Sequence, residues 1–422
     1  METLLHYVWK HKLFENRELL TEDGIPFEVI DPGKHNSNAG PDFFNAKIKM
    51  EDRTWVGNIE IHTSSSDWYK HQHEKDKAYN SVILHVVETA DTEKIRDTNG
   101  RLIPQWVIKI PEQVLNNYSF LLSADDSVPC LGKIHMIPDV YISDWKNALL
   151  VERLERRTKM LLQLLFDSNN DWNEIFYIIL SRNFGFGINN DAFERLAISL
   201  PLKIIRKHQD SITQVEALFL GQAGLLDEDK TEDEYFLELK KEYAFLSKKY
   251  RLKHLDSHIF RSLRIRPNNF PHIKIVQLAG FIRNKQGLFS NLLNISTLEQ
   301  FYSLFNFEIA DYWLTHYHFG KNSVKREKKL GLSAMQLILI NTVVPLFFAY
   351  GKNKNQEIYT ELALKFLDML KPESNSIITM FSRSGIQIQN AGDSQALIQL
   401  KREYCDQKKC IYCRIGHQLL RK

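Results

Sequence analysis

The chain has 422 residues, which leaves room for roughly two or three domains of about 100–200 residues each. Apolar residues make up 43% of the chain and charged residues 25%, a composition that excludes wholesale disorder. The net charge of +3, from 55 basic and 52 acidic residues, excludes a polybasic, histone-like protein. Four cysteines are too few for a secreted scaffold held together by disulfides.

The first 110 or so residues have the pattern of a mixed α/β domain. Apolar residues at helical spacing indicate an amphipathic opening helix, and alternating or β-branched runs indicate strands. Ser66 and Asp67 provide an N-cap for a further helix to about Tyr79. The predicted order is helix, three strands, helix and strand, with one more strand after it. The opening helix is predicted around residues 4–9, and the strands over 24–30, 43–50, 54–62, 82–87 and 106–110.

Helical spacing replaces this pattern from about residue 138 and continues to about residue 370. We therefore expect an α/β domain over residues 1–125 and a helical domain over residues 138–422, ending in a cysteine-rich segment. The apolar stretch from 332 to 350 contains Asn341 and Pro345, which favour a buried helix over a membrane span. The N-terminus lacks the order of a signal peptide, so we expect a cytoplasmic protein with no membrane attachment.

Two acidic residues of the predicted sheet are candidates for a metal site. Asp42 follows Gly40-Pro41 before the second strand, and Glu60-Ile61-His62 lies on the third strand. Residues two apart on a strand point to the same face, so Glu60 and His62 share a side. An antiparallel hairpin of these strands would bring Asp42 and Glu60 together. With the carbonyl oxygen of Ile61, the two carboxylates would form an oxygen-rich site suited to Mg²⁺ or Mn²⁺.

On these residues the N-terminal part resembles the PD-(D/E)XK nuclease superfamily. That superfamily has a core of helix, three strands, helix and strand, with an acidic residue after a proline at the second strand and (Asp/Glu)-x-Lys on the third. Pro41-Asp42 and Glu60-x-His62 occupy the corresponding places. The resemblance implies a restriction-endonuclease-like fold in which Asp42 and Glu60 hold the metal and His62 stands where the lysine does. It also implies phosphodiester hydrolysis of DNA or RNA, leaving a 5′-phosphate and a 3′-hydroxyl.

The whole chain is similar to an uncharacterised bacterial family of unknown function, through Gly-Pro-Asp-Phe at 40–43, Gly-Asn-Ile-Glu-Ile-His at 57–62 and the cysteines near the end. That similarity implies no activity. Because His62 replaces the lysine, a second function stays open, a non-catalytic nucleic-acid-binding or scaffold protein that retains a nuclease-like fold. The simplest alternative is that Asp42 caps a turn while Glu60 and His62 lie on an exposed strand face.

Several polar residues after the motif are candidates to support the site. His73, Asp76 and Tyr79 are spaced three apart and share a face of the predicted helix, whereas His71 and His73 diverge on it. We expect these residues to lie near the cleft or to contact phosphate, and His85, inside a strand, to be a core histidine. An alternative is a histidine-rich Zn²⁺ or Mn²⁺ hydrolase. Its ligands would be His62, His71, His73 and His85.

The cysteine-rich segment is the second candidate metal site. Cys405-x4-Cys410-x2-Cys413-x3-His417 supplies four ligands over thirteen residues, which suits tetrahedral zinc. Cys130 offers an alternative, because it would complete a four-cysteine set for an iron–sulfur cluster. Some nucleases of the same superfamily are similar in this respect, since their cluster cysteines come from widely separated segments. Zinc and an iron–sulfur cluster both remain open at this point.

Overall fold

The computed structural model describes residues 1–15, 18–36, 38–123, 128–227, 232–284 and 287–421. The chain divides into two compact units. The first unit comprises Met1–Lys146, Thr379–Ile386 and Leu397–Lys422, and the second comprises Asn147–Ile378 and Gln387–Ala396. The cysteine-rich end therefore belongs to the first unit, with the sheet, and not to the helical unit as expected. The expected boundary near residue 125 falls on 124–127, outside the described residues.

The first unit contains nine strands in its described part. They are β1 (Leu19–Leu20), β2 (Pro26–Asp31), β3 (Lys34–His35), β4 (Phe43–Met50), β5 (Arg53–Ser64), β6 (Val82–Thr89), β7 (Ile95–Arg96), β8 (Leu102–Ile103) and β9 (Gln105–Val107). The main sheet has the order β1-β2-β4-β5-β6-β9, with β3 paired to β4, and β7-β8 form a separate pair. Neighbouring strands of the sheet are antiparallel from β1 to β5 and parallel from β5 to β9, so the pairing changes from antiparallel to parallel at β5.

The predicted strands β2, β4, β5 and β6 are confirmed to within two residues, and β9 is shorter than predicted. Ile59 and Ile61 of β5 and their partners Leu84 and Val86 of β6 are fully buried. The alternating residues of β5, on the other face, include Glu60 and His62. The apolar alternation therefore fixes which face of the sheet carries the polar side chains.

The helix predicted from Ser66 to Tyr79 is wrong in its extent. The structure has a single turn, α2 (Asp67–Lys70), followed by 3₁₀ turns over His73–Lys75 and Lys77–Ser81. Gln72 adopts a left-handed backbone conformation with φ of 61°, which ends the helix. Asp76 then accepts a hydrogen bond from the Ala78 N–H at 2.8 Å and stabilises the second turn.

The remaining regular structure is helical, as predicted for the second half. Two π-helical segments, Leu339–Val343 and Leu400–Cys405, interrupt or extend the α-helices. The helices are α1 (Glu2–Lys10), α3 (Glu112–Ser123), α4 (Asp139–Asp167), α5 (Trp172–Phe184), α6 (Asn190–Ser199), α7 (Leu202–Ile205), α8 (Ile212–Gln222), α9 (Glu234–Tyr250), α10 (Pro271–Arg283), α11 (Leu288–Leu293), α12 (Leu298–Ser303), α13 (Leu332–Ile338), α14 (Val344–Lys354), α15 (Glu357–Met369), α16 (Ser376–Arg383), α17 (Ala391–Gln399) and α18 (Arg414–Arg421).

The apolar stretch Leu332–Lys354 packs into the core of the helical unit. Within the described residues it is one helical stretch long and apolar enough to cross a membrane, with a mean hydropathy of 1.9. However, 61% of its most apolar part is buried, and Leu339, Leu346 and Phe347 are fully buried in the large core cluster of this unit. This packing is that of a core helix, as the polar residues of the segment indicated.

Candidate functional site

The register of β4 and β5 places Asp42 beside Glu60. Phe43 pairs with Ile59 in the antiparallel ladder, so the next residues outward, Asp42 and Glu60, are neighbours. The Asp42 N–H donates to Glu60 Oε2 at 3.2 Å, and the Ile61 N–H donates to Asp42 Oδ2 at 2.9 Å. Each acidic side chain is therefore held by the other strand. Glu60 and His62 are buried, at 5% and 2% exposed, so the alternative of an exposed strand face is wrong.

The loop before Asp42 is organised by the side chain of Asn36. Its Nδ2 donates to the carbonyl oxygens of Asn38 and Pro41, both at 3.1 Å, and its backbone N–H donates to the Asp42 carbonyl at 2.7 Å. Gly40 supplies the turn, with φ of +98°, a conformation that other residues rarely adopt. These contacts fix the backbone from which Asp42 projects.

Two histidines contact the other oxygen of Glu60, and a third histidine contacts one of these two. Glu60 Oε1 lies 3.4 Å from His62 Nε2 and 3.3 Å from His73 Nε2. His62 Nε2 also lies 3.1 Å from His71 Nδ1. One nitrogen from each of the three rings lies within 4.8 Å of the other two. We call Glu60, His62, His71 and His73 the histidine centre.

The predicted divergence of His71 and His73 is wrong. That prediction assumed a continuous helix, in which residues two apart point in different directions. The left-handed conformation of Gln72 reverses the chain between the two histidines, and their ring centroids lie 5.5 Å apart. The break in the helix is thus what brings both rings to His62.

His85 orients His62 from the neighbouring strand. His85 pairs with Glu60 in the β5–β6 ladder, and its Nε2 shares a hydrogen bond of 2.8 Å with His62 Nδ1. It is fully buried, as expected for a core histidine. Its Nδ1 has no hydrogen-bond partner within the described chain, although Gln105 pairs with it in the ladder. His85 therefore acts on the centre through the tautomer and orientation of His62.

Burial sets the charge state of these groups. Burial, followed by the charge of Asp42, raises the pKa of Glu60 to about 9. Burial, followed by the neighbouring His85, lowers the pKa of His62 to about 2, and burial lowers the pKa of His85 to about 4 and also lowers that of His73. Without a bound cation, the imidazoles of these three residues are neutral at neutral pH. No lysine or arginine in the described chain forms an ion pair with Asp42 or Glu60.

Aromatic side chains support the histidine loop. The Tyr79 ring stacks on the His73 ring at 3.8 Å, and burial raises the Tyr79 pKa to about 12. Trp68 is fully buried, with its ring 5.3 Å from His73 and 5.4 Å from His85, and its Nε1 donates to the Arg96 carbonyl at 3.1 Å. Asp76 does not share a helix face with these residues as predicted. It is exposed and caps the turn instead.

His6 was not among the site residues predicted from the sequence, and it lies on the far side of Asp42. His6 Nε2 is 3.3 Å from Asp42 Oδ2 and 3.9 Å from Glu2 Oε1, and these three donor groups lie within 4.8 Å of one another. Burial lowers the His6 pKa, but the hydrogen bond and charge of Asp42 outweigh this and raise it overall. The available signal was a histidine directly after the buried Leu4 and Leu5 of an amphipathic helix.

A cavity of about 290 Å³ opens next to His6, between α1 and the C-terminal segment of the same unit. No carboxylate lines it within the described chain. The Tyr7 hydroxyl shares a hydrogen bond of 2.6 Å with His417 Nδ1 in its wall, and Arg414 pairs with Asp144. We call it the cationic cavity. Its lining residues are Thr3, His6, Tyr7, Lys10, His11, His35, Ile411, Tyr412, Cys413, Arg414 and His417.

All four cysteines line a second, smaller cavity in the first unit. Cys130 lies there with Cys405, Cys410 and Cys413, and all four are free thiols. Burial raises the pKa of Cys130 to about 12 and that of Cys410 to about 11, so both thiols keep their protons in the absence of a cation. Gly416 is required beside them, because a Cβ there would lie 2.0 Å from the Cys410 carbonyl oxygen.

Of the two candidates for a fourth ligand, Cys130 lies with the other three cysteines and His417 does not. His417 is absent from the residues that line the cysteine cavity. Its ring instead packs against His11, with centroids 4.5 Å apart, and its Nδ1 is engaged by Tyr7. Contacts with α1 therefore hold this side chain in the wall of the cationic cavity.

The role of Trp68 generates a testable prediction. Trp68→Ala should remove the packing beneath His73 and His85, at a cost of about 3–5 kcal/mol in the free energy of unfolding of the first unit. Hydrogen–deuterium exchange over residues 65–81 should become markedly faster. Trp55→Ala is the matched control, because Trp55 on β5 is 44% exposed. Equal exchange rates in the two variants would contradict the assigned role.

Comparison with known proteins identifies the family of the chain but assigns no activity. No curated protein and no solved structure matches it. A sequence profile of one family matches residues 2–376, which include the histidine centre and Cys130 but not Cys405, Cys410 and Cys413. Because that match spans most of its length, the chain belongs to the family described as protein of unknown function (DUF2851).

Proposed function

We propose that this protein is a divalent-metal-dependent nuclease that hydrolyses phosphodiester bonds of nucleic acid. The observation that carries the proposal is the placement of Asp42 and Glu60 side by side with no lysine or arginine partner in the described chain. Two adjacent carboxyl groups, one of them buried, need a positive counter-charge to ionise together. A divalent cation supplies that charge, and it is the usual means of stabilising charge on a phosphodiester.

The arrangement of the sheet supports a fold like that of the PD-(D/E)XK superfamily. The helix α1 is followed by the antiparallel strands β2, β4 and β5, and then by β6, which runs parallel to β5. Asp42 stands at the start of the second of these antiparallel strands and Glu60 near the end of the third. These are the places that the resemblance assigns to the metal-binding acids.

The residues present fit a divalent cation, and each has a definite task. When bound, the cation would polarise the phosphodiester and activate the attacking water. Asp42 and Glu60 supply carboxylate oxygens, and the Ile61 N–H holds Asp42 in place. His62 supplies a neutral nitrogen beside Glu60 and therefore lacks the positive charge that a lysine would bring. Charge compensation then falls to the cation and to the basic residues nearby.

The cationic cavity is suited to the phosphates of the substrate strand. His6 lies both in its wall and against Asp42, so the cavity adjoins the proposed metal site. Lys10 provides a cationic group for phosphate, whereas Arg414 is already paired with Asp144. Tyr412, which is 58% exposed, provides a ring on which a base can stack. This observation also favours the second function, a nucleic-acid-binding protein without catalysis.

Cleavage assays test the enzymatic function. Purified protein with Mg²⁺ or Mn²⁺ should cleave DNA or RNA, and Asp42→Ala or Glu60→Ala should lower the rate by roughly two orders of magnitude or more. Asp52→Ala is the matched control, because Asp52 is exposed in the turn between β4 and β5. If all variants cleave equally well, the activity is a contaminant and the nuclease proposal fails.

Binding measurements test the cationic cavity separately. Lys10→Glu should weaken the binding of a single-stranded oligonucleotide in EDTA by roughly tenfold at low salt, because a phosphate contact is reversed in charge. Lys49→Glu carries the same charge change on the exposed side of β4 and should bind like wild type. Equal affinities of Lys10→Glu and Lys49→Glu for the oligonucleotide would contradict a role of the cavity in nucleic-acid binding. Binding without any cleavage would favour the non-catalytic function.

We also propose that Cys130, Cys405, Cys410 and Cys413 hold an iron–sulfur cluster. No three of these four sulfurs lie within 4.8 Å of one another, although all four residues are described. The sulfurs of a tetrahedral zinc site would lie about 3.8 Å apart, and this wider arrangement therefore favours a larger inorganic core. Buried free thiols of this kind fit a reducing compartment, and we place the protein in the cytoplasm.

Anaerobic purification tests this centre. The protein should be brown and should contain iron and acid-labile sulfide, and Cys130→Ser or Cys405→Ser should lose both. His417→Ala should keep them, because His417 lies in the wall of the other cavity. A colourless protein that holds zinc at these cysteines would contradict the cluster. Loss of metal in His417→Ala together with retention in Cys130→Ser would restore the ligand set predicted from the sequence.

A further inference from the structure

The histidine centre carries an inference about which metal the site takes. We propose that Glu60, His62, His71 and His73 bind a zinc ion, in place of the Mg²⁺ or Mn²⁺ expected for two carboxylates. The inference deepens the proposed function by naming its metal, and in that sense it rests on the proposed function. Glu60 and His62 lie on β5, His71 directly follows α2, and His73 begins the 3₁₀ turn His73–Lys75.

The spacing of the donor atoms is the first argument. Glu60 Oε1 is 3.4 Å from His62 Nε2 and 3.3 Å from His73 Nε2, and His62 Nε2 is 3.1 Å from His71 Nδ1. Ligand atoms at the corners of a zinc tetrahedron with bonds of about 2.0–2.1 Å lie about 3.3–3.4 Å apart. These three separations are thus already close to those between neighbouring ligands of a zinc site.

The orientation of His73 is the second argument. His73 is 7% exposed, and its Nε2 has no hydrogen-bond partner within the described chain, although it lies 3.3 Å from Glu60 Oε1. A buried ring nitrogen without a partner is costly, and most such groups are satisfied. A shared cation would satisfy both atoms, because the ring nitrogen and the carboxylate oxygen could each direct a lone pair at it.

The chemistry of the donors is the third argument. Three imidazole nitrogens and one carboxylate oxygen form a borderline-soft set that suits zinc, whereas Mg²⁺ prefers oxygen ligands and retains several waters. His85 completes the arrangement, since its Nε2 engages the other nitrogen of His62 at 2.8 Å. Such outer hydrogen bonds fix the tautomer and direction of ligating histidines. Zinc also expands to five ligands, which leaves room for a substrate atom.

Metal content tests the inference without any substrate. The parent for this experiment is the full chain carrying Cys405→Ser and Cys413→Ser, so that the cysteine cavity contributes no metal. After removal of metal and titration with Zn²⁺, the parent should bind about one zinc per chain. His71→Ala should bind zinc at least about tenfold more weakly. His71 is exposed, so its loss should spare folding. His71→Cys should restore binding, because a thiolate is also a zinc ligand.

Two controls make the outcome decisive. Asp76→Ala removes an exposed acidic residue of the same loop and should bind zinc like the parent. Substitution of Co²⁺ into the wild-type chain provides a second measurement that does not need the cysteine variants. Cobalt at the histidine centre should show ligand-field absorption without thiolate charge transfer, and His71→Ala should lose that component. Equal zinc affinity of His71→Ala and Asp76→Ala would overturn the proposal, as would a parent that binds no zinc.

The same measurements separate this proposal from the nuclease proposal. A chain that binds zinc through His71 but cleaves no nucleic acid would leave the zinc centre standing and remove the nuclease function. Conversely, a chain that cleaves nucleic acid but binds no zinc through His71 would remove the zinc centre and leave the nuclease function standing.

Discussion

The hydrogen bonds exchanged between the ends of β4 and β5 are the interaction on which the site depends. The Asp42 N–H binds the Glu60 carboxyl group, and the Ile61 N–H binds the Asp42 carboxyl group. These bonds follow from the antiparallel register of Phe43 with Ile59. A shift of one residue would turn Glu60 and His62 to the opposite face of the sheet and disperse the site.

The two carboxyl oxygens of Glu60 face two different groups of side chains. Oε2 faces Asp42, beside which His6 lies, and Oε1 faces the histidine centre. Because the carboxyl group is buried, its ionisation needs a nearby positive charge, and the described chain offers only histidines there. In our proposal the fold thus creates the need for a cation, and the three imidazoles decide which cation suits the site.

Much of the sheet and of the acidic pair was predictable from the sequence, because both depend on local patterns. Strand alternation placed Glu60 and His62 on one face, and the hairpin geometry brought Asp42 to Glu60. The convergence of His71 and His73 was not predictable, since it depends on the left-handed conformation of one residue, Gln72, for which glycine or asparagine is the usual choice. Helical periodicity favoured a continuous helix at this point.

Long-range contacts also limited how much of the candidate sites could be predicted from the sequence. Cys130 lines one cavity with cysteines more than 270 residues away, while His417 is held by Tyr7 and His11, although it is only four residues after Cys413. The spacing of candidate ligands along the sequence does not show which of them is already held by contacts with other side chains. His6 escaped notice for the same reason, because its partner Asp42 belongs to another element.

Anomalous X-ray diffraction from crystals of the purified full chain, recorded on both sides of the zinc absorption edge, tests the central claim most directly. The account predicts an anomalous peak within bonding distance of Glu60 Oε1 and of the ring nitrogens of His62 and His73. A map without a peak at Glu60, or coordinates in which Asp42 and Glu60 point away from each other, would contradict it.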